Sequence, residues 1–116
     1  MLPNNMKINI TVEEQLRRLK TQTGIRPNIS ARIAFFRSIE SGYTFDPKLK
    51  YELNSKLELD KVTWLGKTQL VTELLLKKKY PTLDGKELQV AWASHVEHGI
   101  GALRSHKYLT EILTEL

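Results

Sequence analysis

Cysteine is absent from the 116 residues. That excludes disulfide cross-links, a thiolate nucleophile and an iron–sulfur cluster held on protein sulfur. Any sulfur chemistry served by this chain must be carried out by a partner. Long apolar runs are also lacking; none approaches the roughly 20 residues needed to cross a bilayer. Met1 to Lys7 lacks the apolar core segment of a secretory leader. The expected location is therefore the cytoplasm, with no membrane partner. No glycine-rich phosphate loop is present: Gly99-x-Gly101 has neither a preceding strand nor the full dinucleotide fingerprint, and is expected to break a helix.

Acid is scarce in the first third of the chain. Residues 1–37 hold seven basic side chains (Lys7, Arg17, Arg18, Lys20, Arg26, Arg32, Arg37) against Glu13 and Glu14, while the rest holds 11 of each sign. The whole net charge of +5 therefore lies in that third. A localised excess of this kind can hold a polyanion, because each neutralised phosphate releases condensed counterions. The alternative is a basic surface that only confers solubility. With 41% apolar and 27% charged residues, the chain has the composition of one globular domain spanning 1–116.

Lys7-Ile8-Asn9-Ile10-Thr11 alternates with the period of a half-buried strand, Ile8 and Ile10 inward and Lys7, Asn9 and Thr11 outward. It is too short to stand alone, and a second copy of the chain is the expected source of a partner strand. Thr11 to Glu14 has the form of a capping box, opening a helix with Val12, Leu16, Leu19 and Thr23 on one face and Gly24 as its stop. Arg17 and Arg18 follow Glu13 and Glu14 at the spacing of helix ion pairs. A second helix, about Ile29–Glu40, is apolar almost all round, with Ser30 and Arg37 as its polar strip. Such a helix is buried on several sides, in part against another subunit. Its N-terminus, around Asn28–Ser30, would present N–H groups to a phosphate.

Residues 43–60 are expected to form a long connection with little regular structure. A third helix runs from Trp64 or Gly66 to Lys79, where Pro81 prevents continuation. Lys77-Lys78-Lys79 complements the macrodipole at its end and offers accessory phosphate contacts. A fourth follows Asp84-Gly85 through Glu97, and a last spans about Ser105–Leu116. His95 and His98 share a helical face, but zinc needs three or four ligands, and Ser94 faces away from His95. We expect no metal, no cofactor and no active site.

Strand, capped helix, Thr-Gly break and buried helix follow one another in the order of a ribbon-helix-helix unit. The expected fold is thus all-α: ribbon-helix-helix-like over the first 42 residues, then about three further helices. Leu16-Arg17-Arg18-Leu19-Lys20, Thr23-Gly24-Ile25-x-Pro27-Asn28, Ala31-Arg32-Ile33-Ala34 and Ser38-Ile39-Glu40 resemble the DndE family of DNA sulfur-modification proteins. Leu65-Gly66 and His98-Gly99-Ile100-Gly101-x-Leu103 extend the resemblance, which covers about residues 8–105. It implies bacterial machinery that replaces a non-bridging phosphate oxygen of DNA with sulfur, alongside a cysteine desulfurase and an iron–sulfur protein. This member would be a small, oligomeric (dimer or tetramer), non-enzymatic component that engages duplex DNA, intact or nicked. Its expected DNA ligands are Lys7, Arg17, Arg18, Lys20, Arg26, Arg32 and Arg37, with Lys77, Lys78 and Lys79. The rivals are a free-standing ribbon-helix-helix repressor or antitoxin, and an adaptor whose basic third docks on an acidic protein.

Overall fold

A computed structural model describes the backbone of residues 1–105 and the side chains of residues 1–102. The helix expected over 105–116 lies outside the described residues. The chain forms strand β1 (Asn5–Lys7), helices α1 (Ile10–Thr23) and α2 (Pro27–Glu40), and strand β2 (Glu58–Asp60). Helix α3 (Lys61–Leu65), a 3-10 turn (Gly66–Thr68), α4 (Gln69–Lys79) and α5 (Gly85–Ser105) complete the order.

The first strand finds its partner within the chain. β1 pairs antiparallel with β2, placing Asn5 opposite Asp60, Met6 opposite Leu59 and Lys7 opposite Glu58. The fold is therefore mostly helical with a small two-stranded sheet, rather than purely helical. The pairing continues past the strand: Ser55 N–H donates to Ile8 C=O at 2.9 Å, and Ile8 N–H donates to Ser55 Oγ at 3.1 Å. The Trp64 indole N–H donates to Met6 C=O at 2.9 Å. A ribbon shared between two chains, as expected above, is replaced by these contacts. The supposed irregular connection supplies the second strand, since Leu57 and Leu59 alternate with Glu58 and Asp60 in half-buried and exposed positions.

Helix α1 begins one residue before the expected cap. Asn9, not Thr11, is the N-cap, its side-chain oxygen accepting from Thr11 N–H. Ile8 is fully buried, whereas Ile10 is exposed because the chain has already turned helical there. Glu13 is buried; it accepts from Leu57 N–H at 3.0 Å and pairs with Arg17 at 2.5 Å, fastening the connection to α1. Gly24 stops α1 in the left-handed conformation at φ 76°, with its N–H on Lys20 C=O.

Helices α2 and α5 form the main packing layer. The buried stripe of α2 is Ser30, Ala31, Ala34, Phe35 and Ser38; Ile29, expected inside, is exposed, and Ile33, Phe36 and Ile39 are only partly buried. Small residues win this face because the helices approach closely. A Cβ built on Gly99 of α5 would lie 1.8 Å from the Ala34 carbonyl oxygen. Gly99 is thus a packing glycine, and α5 runs straight through Gly99-Ile100-Gly101, where a helix break was expected. The third helix, expected from Trp64 or Gly66 to Lys79, is instead α3 up to Leu65, a 3-10 turn from Gly66 and α4 from Gln69. The Arg32 guanidinium, 2.7 Å from where a Gly66 Cβ would sit, occupies the space beside that joint. Trp64 and Trp92 meet edge to face at 5.3 Å in the core.

Candidate nucleic-acid interface

The expected DNA ligands are brought together only in part. Arg18, Lys20 and Arg26 are exposed, and none makes an ion pair among the described residues. Lys20 occupies the last turn of α1, and Arg26 is the N-cap of α2, two residues past Gly24. The turn between them is held by Thr23, whose hydroxyl donates to Leu19 C=O at 2.6 Å and accepts from Ile25 N–H at 3.1 Å. Lys20 and Arg26 flank this ordered corner, and Arg18 lies two residues before Lys20 on α1. Arg17 lies one residue before Arg18, but its guanidinium already pairs with Glu13. The anticipated Arg18–Glu14 pair does not form among the described residues, which leaves Arg18 to the solvent.

Other candidates have structural duties. Arg32 Nε donates to Trp64 C=O at 2.8 Å and Nη2 to Thr63 C=O at 2.9 Å, so it fastens α2 to the C-terminus of α3. Lys7 is half-buried and opposes Glu58 across the sheet. Arg37 is exposed in the last turn of α2. The three lysines of α4 diverge: Lys77 donates to Leu83 C=O at 2.9 Å, Lys78 is exposed, and Lys79 is half-buried near His95. The α2 N-terminus is not open as expected, since Ile29 and Ser30 both direct their N–H groups to Arg26 C=O and Ser30 is buried.

One polar cluster could not be anticipated from spacing along the chain. Ser38 of α2 places its Oγ 2.8 Å from His95 Nδ1 and 2.9 Å from His98 Nδ1. His95 Nε2 is 2.7 Å from the Tyr80 hydroxyl, which accepts from Phe45 N–H at 2.8 Å. One assignment of protons satisfies every group: Tyr80 donates to His95, His95 Nδ1–H to Ser38, and Ser38 to His98. Burial, reinforced by the positive charge of Lys79, pushes His95 down from 6.5 to about 4, so it stays neutral near pH 7. Burial likewise pushes the Tyr80 phenol up. Tyr43 stacks on the His98 ring at 4.2 Å and meets Ser94 Oγ at 2.7 Å. Ser38 is closed to solvent, so this run of hydrogen bonds ties α2 to α5 inside the layer. Among the described residues no group of three or more His, Cys, Asp or Glu could hold a metal ion. No helix among them is long and apolar enough to cross a membrane.

A model of the family described as DNA sulphur modification protein DndE matches residues 5–111. The chain belongs to the DndE family. A crystal structure of DndE from Escherichia coli B7A, involved in DNA phosphorothioation modification, is 56% identical with a TM-score of 0.84. The match covers 90% of this chain and 100% of that one. A glycine-to-lysine mutant of DndE involved in DNA phosphorothioation is 52% identical with a TM-score of 0.85, covering 90% and 100%. No curated protein matches the chain. As a DndE-family member the chain is a component of the DNA phosphorothioation system, which implies partner proteins. A member without cysteine must leave the handling of sulfur on a thiolate to those partners.

Proposed function

We propose that this DndE-family chain is a non-catalytic subunit of the phosphorothioation machinery that holds duplex DNA while partner enzymes modify it. The carrying observation is that Arg18, Lys20 and Arg26, on α1 and at the corner after it, are exposed and without an acid partner among the described residues. Backbone phosphates are the natural counter-charge, and such contacts position a protein on DNA without reading sequence. Assembly into a homodimer or homotetramer would repeat the corner and raise affinity through multivalency. The partly exposed Ile29, Ile33 and Phe36 of α2 supply apolar surface for that assembly.

The pairing of β1 within its own chain weighs against a repressor that inserts an intermolecular ribbon into the major groove. Retention of a labelled duplex at low ionic strength tests the proposal directly. The combined substitutions Arg18→Gln, Lys20→Gln and Arg26→Gln should weaken retention at least tenfold. Undiminished retention would remove the corner from the mechanism. The purified chain, given duplex and a sulfur donor without its partners, should yield no phosphorothioate linkage.

A further inference from the structure

Helix α4 presents a face that is both apolar and exposed. On α4, Leu70, Val71 and Leu74 are 69%, 45% and 56% accessible. These positions fall at i, i+1 and i+4, so they form one stripe along the helix. Lys67, in the turn before α4, and Lys78, one turn beyond Leu74, border the stripe, and both are exposed. Between Lys61 and Lys79 the only carboxylate is Glu73. It is buried, accepting from Leu2 N–H at 3.0 Å and pairing with Lys61 at 3.4 Å. Each end of this apolar stripe is therefore marked by an exposed lysine, and its own segment offers no exposed carboxylate.

We propose that this face docks an amphipathic helix of a different protein whose apolar stripe is flanked by carboxylates. Two apolar helix faces bury area together, and anchors at three- and four-residue spacing are how such helices engage. The two lysines select the partner. If two copies of this chain packed α4 against α4 antiparallel, Lys67 of each would approach Lys78 of the other, with no carboxylate on either helix face to offset the repulsion. An acidic rim reverses that sign. Duplex DNA would satisfy the lysines but leave the leucines wet. The inference does not depend on the DNA-holding corner, which belongs to α1 and the turn after it.

The probe is a synthetic helical peptide with leucines at i, i+3, i+4 and i+7 bordered by glutamates, followed by fluorescence anisotropy against the full chain. A control peptide carries lysines in place of the glutamates. The acidic peptide should bind at least tenfold more tightly than the basic one, and Lys67→Glu with Lys78→Glu should invert that order. Leu70→Ser with Leu74→Ser should abolish binding of the acidic peptide while leaving helical circular dichroism and duplex retention unchanged. Equal affinity for both peptides, or none for either, overturns the proposal. So does a fall in sedimenting mass of the Leu70→Ser, Leu74→Ser chain, which would mean that a second copy covers this face. Loss of duplex retention alone in the Arg18, Lys20 and Arg26 substitutions would leave it standing.

Discussion

At the scale of single residues, Gly99 and His95 show how strongly a neighbour from a distant segment decides a residue's role. Gly99 follows His98 in a run whose two glycines read locally as a break, yet it sits against the Ala34 carbonyl. Gly99→Ala must push α5 off α2, and overpacking of this kind costs about 1–3 kcal/mol or somewhat more. Urea denaturation should show a loss at or above the top of that range, whereas Gly101→Ala, with open space at its Cβ, should be neutral or slightly stabilising. His95 makes a pH prediction. Its folded value lies below its unfolded one, 6.5 dropping to about 4, so the unfolded state binds more protons between those limits. Stability is then complete above pH 6.5 and declines as pH falls towards 4, by about 3 kcal/mol if His95 acted alone. Denaturation midpoints measured from pH 7 to pH 4 should trace that decline. His95→Gln should be less stable at pH 7 but should flatten the slope; an unchanged slope would assign it to other groups.

Among the elements, the small sheet is the most consequential departure from expectation. Alternation in residues 7–11 placed the strand too late, since β1 is Asn5–Lys7 and Ile10 and Thr11 are already helical, and it could not name the partner. The answer lies about fifty residues on, in a segment whose three-residue strand is too short to stand out from a polar loop. Ser55 is the test of this in-chain pairing. Its hydroxyl accepts from the buried Ile8 N–H and donates to Leu57 C=O, so Ser55→Ala strands a buried donor. The expected cost is about 1–3 kcal/mol, with no change in sedimenting mass. A change in mass would indicate that β1 pairs between chains after all.

For the whole molecule the governing quantity is where charge remains uncompensated. Seven cations in the first 37 residues pointed to a polyanion, but a helix ion pair and tertiary contacts engage several of them. Arg17 goes to Glu13, Arg32 to the Trp64 and Thr63 carbonyls, and Lys7 faces Glu58. What remains to carry the proposed duplex contact is a small corner, so the salt dependence should be correspondingly modest. With three phosphates neutralised per chain, the slope of log affinity against log salt should be about −2.7. That corresponds to roughly a fortyfold loss between 50 and 200 mM salt. Filter-binding titrations across that range, run on the wild type and on the corner substitutions, would measure it; a slope near zero for the wild type would exclude phosphate contact as the main attraction.

The family, the helical character, the Gly24 stop and the positive bias of the first third were all legible without coordinates. Each depends on neighbours a few residues apart or on composition, and helical periodicity, capping and net charge are properties of that kind. Tertiary structure alone decided that β1 pairs with residues 58–60, that α5 continues through its glycines, that Ser38 joins two histidines, and which cations stay free. Those outcomes depend on contacts between segments tens of residues apart, where the close approach of backbones and the satisfaction of buried polar groups override local preference.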